Sequence, residues 1–322
     1  MREITYGDAI HEALHEEMLR DPTVYIIGED AGLNARPPKA SAGFYQEFGA
    51  DRVIDAPIAE AAIIGGSVGA AMAGMRPVVD IMNEDFMLET LDVLVNHAAR
   101  ETYCSDGVLK VPMVIRATFG AGGEQVLNLE SWFMHIPGLK VVMPTTPYDA
   151  KGLLKSAIRD NNVVLFLEHG SFGRGLKGQV PEKEYTIPIG VADIKRKGKD
   201  VTVVAVGKMV HEALAAAETL AKESISLEVI DLRSLSPLDK KTFLDSVKKT
   251  GRLIIAHQAW KTCGLGAEIS AIVCEEALSS LKAPIIRVTA IEIPPPFHPA
   301  LQAMAYPSKD DIINAAKKVM SR

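Results

Sequence analysis

The sequence is poor in cysteine, with three among 322 residues. Cys104, Cys263 and Cys274 form no CxxC pair and no Cys/His group of metal-ligand spacing. That excludes a disulfide framework and a thiolate metal centre, and predicts buried, reduced thiols. Long apolar runs are absent too: residues 61–75, AAIIGGSVGAAMAGM, fall short of the roughly 20 that cross a bilayer. Positive charge gathers into no stripe, since 35 Lys and Arg against 41 Asp and Glu give a net charge of −6. Neither a nucleic-acid backbone nor an anionic membrane is therefore an expected partner. Low-complexity tracts and repeats are missing, which argues against disorder. The opening MREITYGDAIHEAL has acids and a histidine where a secretory signal has a basic region and then an apolar run, so a soluble cytoplasmic protein is expected.

What is present is ordinary for a globular enzyme: 48% hydrophobic residues, 24% charged, 25 Gly and 18 Pro. The length suits two domains, each able to bury a core. Ala9, Ile10, Ala13, Leu14 and Met18 recur at helical spacing, and 24–27 (VYII) reads as a buried strand ending at Gly28-Glu29-Asp30. Short β-rich runs at 53–54, 77–82, 111–117, 139–143 and 163–168 alternate with helical patterns at 61–74, 86–104, 126–135 and 150–159. Such alternation predicts an α/β fold around a mainly parallel, doubly wound sheet. Residues 173–190 are rich in Gly, Pro and charge and read as a connection. Beyond them the alternation repeats, with strands at 201–206, 227–231, 253–257 and 285–288, and ends in a rigid proline loop and a helix over 308–320. Two doubly wound domains are expected, residues 1–187 and 188–322.

One acid stands out. In Asp55-Ala56-Pro57-Ile58-Ala59-Glu60-Ala61-Ala62-Ile63, Glu60 lies among apolar residues at a strand-turn-helix junction, where desolvation favours a shared proton. Read alone, the pattern favours a plainer role, a negative charge in the first turn of a helix. Ile58, Met82 and Phe86 read alone as core. Glu29 is either a ligand at a strand end or a solvated turn acid.

The longer pattern weighs the other way. RVIDAPIAEAAIIGGSVGAAMAGMRPVVDIM, LVNHAAR, HIPGLKVVMPTTPYDAKGLLKSAIRDNN, LEH, KDVTVVAVG, VIDLRSLSPLD, IIAHQAWKTCGLGAEI and PPPF follow one another over nearly the whole chain. Together they resemble the β subunit of the thiamine diphosphate-dependent decarboxylase component of pyruvate, branched-chain 2-oxo-acid and acetoin dehydrogenases. The resemblance implies a pyrimidine-binding transketolase-like domain followed by a transketolase C-terminal-like domain. It makes Glu60 the catalytic carboxylate, which hydrogen-bonds the aminopyrimidine and favours the imino tautomer that takes the thiazolium proton. It makes Phe86 the aromatic stacked on that ring, and Ile58 and Met82 its apolar neighbours. Some members hold potassium on backbone carbonyls, and the matching positions are Met113, Ala157, Ile158, Asp160 and Asn162.

The GDG motif with its downstream Asn, which holds Mg2+ and through it the diphosphate, is absent. The resemblance therefore implies an α subunit carrying Mg2+ and diphosphate, a heterotetramer of two α and two β chains, and a lipoyl-bearing acyltransferase core as partner. The small-residue helix after Glu60 is a natural contact surface for the α chain. One segment departs from the family: a His-Ser-Gln stretch usually precedes HIPG, whereas here Gln125 stands nearest that histidine. Glutamine cannot shuttle a proton as histidine can. His135 reads as a structural hydrogen-bonder or an active-site group, and His257, followed by Gln258 where the family has an acid, as a satisfied histidine at an interface. Two other readings follow from the altered segment, a split transketolase-like carboligase subunit and a scaffold that has lost activity.

Overall fold

The structure, a computed structural model, describes residues 1–33, 35, 40–120, 127–173 and 175–321. The chain divides into two compact units, the first made of residues up to 120 together with 132–189, the second of 127–131 and 190–321. In chain order the first unit holds β1 (Arg2–Thr5), α1 (Tyr6–Arg20), β2 (Val24–Gly28), α2 (Phe44–Phe48), β3 (Val53–Asp55), α3 (Glu60–Met72), β4 (Arg76–Asn83), α4 (Glu101–Cys104) and β5 (Val114–Phe119). After α5 (Glu130–Met134), which begins in the second unit, come β6 (Lys140–Val142), α6 (Pro147–Arg159), β7 (Val164–His169) and β8 (Lys177–Val180).

Six strands of this unit lie in the order β6-β7-β5-β4-β2-β3, and every pair is parallel. Their near-continuous apolar runs suit a sheet covered on both faces. Thr5 starts α1 with a capping box: its side chain accepts the Asp8 N–H while the Asp8 carboxylate returns to Thr5. The inward face of α1 (Ala9, Ile10, Ala13 and Leu14) joins Val24, Val78, Leu153 and Leu154 in one core. Beside that core α6 presents cations to the acids of α1, with Lys151 Nζ 2.9 Å from Glu12 and 2.6 Å from Glu16, and Lys155 Nζ 2.7 Å from Glu16. Both lysines are buried, so removing their acids would leave charge without compensation.

The second unit has β9 (Asp193–Arg196), β10 (Val201–Ala205), α7 (Lys208–Ala221), β11 (Leu227–Asp231), β12 (Ser234–Ser236), α8 (Lys240–Thr250), β13 (Leu253–Trp260), α9 (Leu265–Ala277), β14 (Ile286–Ala290), α10 (Pro299–Ala305) and α11 (Lys309–Met320). Its sheet runs β14-β13-β10-β11-β9, parallel except for β9. The α/β organisation is as expected. No helix among the described residues is long and apolar enough to cross a membrane.

Three local expectations are corrected. Residues 86–104 are not one helix but a 3₁₀ stretch (Glu84–Thr90), a π stretch (Val93–Ala99) and α4. The inward residues Met87, Leu94 and Ala98 are buried, yet their spacing serves changing windings, so the 3.6-residue rule misreads them. The polar stretch 173–190 contains β8, which pairs antiparallel with β1. The cysteines are free and exposed rather than buried. Cys104 closes the short helix α4, Cys263 occupies a turn at φ 52°, and Cys274 lies on the solvent side of α9.

Candidate functional site

The carboxyl ends of β4, β2 and β3 are neighbours, and in parallel sheets ligands gather at that edge. Glu29 follows β2, Ile58 and Glu60 follow β3, and Met82 and Phe86 lie at and just after the end of β4. Five of the sequence-predicted cofactor residues thus belong to one edge of one sheet. Gln125 lies outside the described residues.

Backbone contacts fix the loop that delivers Glu60. Asp55 accepts the N–H groups of Gly32 at 2.5 Å and Leu33 at 2.8 Å, and the Ala56 N–H reaches the Gly28 carbonyl at 3.0 Å. A Cβ on Gly32 would lie 2.9 Å from the Asp55 carboxylate, so this anchor depends on glycine. The chain then turns into α3, whose first residue is Glu60 and whose N-cap, Ala59, provides no side-chain cap. Glu60 is half-buried, and its carboxylate has no hydrogen-bond or ion-pair partner among the described residues. A position at a helix start and a carboxylate without a partner among the described residues coincide in one residue. Ile58 is 75% exposed and Met82 37% exposed, while Phe86 is half-buried in the 3₁₀ stretch packed beside α3.

The five potassium positions lie at the opposite edge. Met113 precedes β5, Ala157 and Ile158 end α6, and Asp160 and Asn162 lie in the turn before β7. Four of their five carbonyls are already engaged. Arg76 Nη1 donates to Ile158 O at 2.9 Å and Asp160 O at 2.8 Å, the Ala157 carbonyl accepts the Asp160 N–H, and the Met113 carbonyl accepts the Val164 N–H. Lys140 Nζ holds the Asp160 carboxylate at 2.5 Å. Each carbonyl keeps a second lone pair, but two cationic side chains already serve this turn.

Sequence reasoning missed a charged cluster within the first sheet. Arg116 of β5 is 7% exposed; its Nη2 and Nε lie 2.7 and 2.8 Å from Glu168 Oε1 of β7, and its Nη1 lies 3.5 Å from Asp80 Oδ2 of β4. Desolvation opposes the Arg116 charge, but the Glu168 and Asp80 carboxylates outweigh it and hold the guanidinium protonated. Burial pushes Glu168 up more than the guanidinium pulls it back, and the Asp80 carboxylate adds to the rise. The available signal was a charged residue within each of three apolar strand patterns, RPVVD, VIRATF and VLFLEH.

The histidines fall elsewhere. His135 is exposed. His257 is buried in the second unit, where its Nε2 accepts the Gly266 N–H at 3.2 Å, leaving the ring proton on Nδ1, which faces Glu130 Oε1 at 3.9 Å. Burial lowers His257 to about 4 and raises Glu130 to about 7, so the facing pair is neutral over the interval between. His257 is a core histidine.

Residues 2–173 match the family described as transketolase, pyrimidine binding domain, and residues 190–312 the one described as transketolase, C-terminal domain. The chain is 46% identical to the acetoin:2,6-dichlorophenolindophenol oxidoreductase subunit beta of Cupriavidus necator, over 99% of this chain and 98% of that one. It is 44% identical to the pyruvate dehydrogenase E1 component subunit beta and 42% identical to the 2-oxoisovalerate dehydrogenase subunit beta of Bacillus subtilis, each over 99% of both chains. A solved split gene transketolase, in an inactive beta4 tetramer, shares the fold with a TM-score of 0.81 over 99% of this chain and 98% of that one, at 24% identity.

Proposed function

We propose, for a chain that belongs to the transketolase-like β subunits of the thiamine diphosphate-dependent pyruvate, branched-chain 2-oxo-acid and acetoin dehydrogenases, that it supplies the cofactor-activating half of a two-chain active site. The observation that carries this reading is the Glu60 carboxylate, unpartnered among the described residues, at the strand edge that also bears the exposed side chains of Ile58 and Met82. When bound, thiamine diphosphate supplies the carbon nucleophile that attacks a 2-oxo acid or acetoin. Glu60 then holds the hydrogen bond to the aminopyrimidine and the proton it needs. Phe86, Ile58 and Met82 would cover that ring and exclude water, and Glu29, just after β2, and Gln125 complete the proposed cofactor set. The residues present fit an aminopyrimidine: one available carboxylate, and apolar side chains that leave water only on binding.

The diphosphate and its Mg2+ belong to an α subunit, in a heterotetramer of two α and two β chains that hands the acyl group to a lipoyl-bearing core in the cytoplasm. The outer face of α3 supports such a partner. Ala62, Gly66, Gly69 and Ala73 are exposed, and a Cβ at Gly66 or Gly69 would meet nothing within 4 Å. This chain's own packing therefore does not require those glycines, whereas close approach of another backbone would. Residues 1–187 form the pyrimidine-binding part and 188–322 the C-terminal part. Potassium on Met113, Ala157, Ile158, Asp160 and Asn162 belongs to the proposal, in competition with Arg76.

Calorimetry of thiamine diphosphate and Mg2+ against this chain, the α chain and their mixture tests the division of the site. Binding is expected in the mixture only. Tight binding by this chain alone would contradict it.

A further inference from the structure

β4 does not run straight to its end. Asp80 pairs with Arg116, yet Asn83 pairs with Thr118, so β4 spends three residue steps where β5 spends two. The extra residue makes a bulge, a device that re-aims side chains at the end of a strand. Met82 lies within it at φ 63°, a left-handed conformation that disfavours any residue with a Cβ and must be held by its surroundings.

The holding contact is Asp80, whose Oδ1 accepts the Met82 N–H at 3.2 Å. Its other oxygen, Oδ2, lies 3.5 Å from Arg116 Nη1, and Arg116 is itself fastened to Glu168. On the opposite side Gly28 of β2 pairs with Asp80, and a Cβ there would lie 2.5 Å from the Asp80 carbonyl. Asp80 is thus gripped from both neighbouring strands. The carboxyl ends of β4, β5 and β7 border a cleft lined by Asp80, Met82, Arg116, Thr118, Glu168 and His169.

We propose that Asp80, oriented by Arg116 and Glu168, is a positioning residue that locks the left-handed turn at Met82 and so sets the apolar wall of the cofactor crevice. This rests on the reading that the pyrimidine binds at the Glu60 edge. Asp80, Arg116 and Glu168 act on that apolar wall through the Met82 backbone.

The test is made on the full chain, labelled at methionine methyls and assembled with its α partner. Asp80→Ala, which removes the acceptor, is expected to move the Met82 methyl resonance in the cofactor-free complex. It should also raise the KM for thiamine diphosphate about tenfold while altering kcat less, a size usual for coupled residues of one network. Asp80→Asn, which restores the acceptor, should recover most of both. If Asp80→Ala does not fold, Arg116→Lys keeps the charge but loses the planar fork and should shift the same resonance with a smaller rise in KM. An unmoved Met82 resonance in the folded variants overturns the proposal. A moved resonance with an unchanged KM shows instead that the turn is held as described but that the pyrimidine does not bind there.

Discussion

The two edges of the first sheet differ in how completely each is satisfied by its own chain. At the amino edge, Arg76 donates to the carbonyls of Ile158 and Asp160 and, at 2.7 Å, to Asn161 Oδ1, while Lys140 closes on Asp160. At the carboxyl edge Glu60 has no described partner, Ile58 faces water, and Met82 holds a backbone conformation it does not favour. A satisfied edge contributes stability. An edge with an available acid, exposed apolar side chains and an imposed turn carries a cost that folding alone does not recover, and binding can. The proposed function accordingly rests on the carboxyl edge.

The largest expected effect that sharpens this contrast is at the amino edge. Arg76→Met removes a guanidinium serving three oxygens and should lower stability by about 2–4 kcal/mol, read by urea denaturation, while cofactor affinity of the assembled complex is unchanged. A loss of affinity without a loss of stability would erase the distinction between the edges.

The second unit provides a smaller, pH-dependent case. Glu130 is raised from 4.5 to about 7, so its contribution is present below 4.5 and lost as pH rises through 7. His257 is lowered from 6.5 to about 4, so its contribution is present above 6.5 and lost as pH falls through 4. Between roughly 4.5 and 6.5 the two slopes oppose and stability should vary little. Glu130→Gln leaves only the histidine slope, and stability should then rise with pH over that interval by at most about 1.4 kcal/mol per unit. Equal pH profiles for the two proteins would mean that the buried pair does not titrate as described.

The smallest effect concerns potassium. Exchange of KCl for LiCl at constant ionic strength should shift the melting temperature by only about 1–2 °C, because Arg76 already satisfies two of the five carbonyls. A shift of about 10 °C would show that the ion, not Arg76, organises the turn.

The same contrast explains what could be read from the sequence. β2 is a continuous apolar run between turn residues, so its place was legible. The β1 and β8 ribbon was not: REIT and KGQV are short and largely polar, and only pairing across the unit makes them strands. The 86–104 segment failed because one apolar pattern serves three windings. At the carboxyl edge the identity of Glu60 as an acid among apolar residues was visible, and its role came from the ordered motifs. The charges of Asp80, Arg116 and Glu168 stood out within their apolar strand patterns, but their meeting was not legible, because it depends on strand order, β4-β5-β7, and on a bulge. The exposed cysteines show the reverse error, an average tendency of the residue type overridden by position.

The central claim is that Glu60 activates the cofactor from the carboxyl edge. Glu60→Gln, co-expressed with the α chain, keeps the size and helix position of the side chain but cannot handle the proton. Turnover of the assembled complex should fall by at least about 100-fold, with assembly and thiamine diphosphate binding retained. Turnover within about twofold of the unaltered complex would contradict the account.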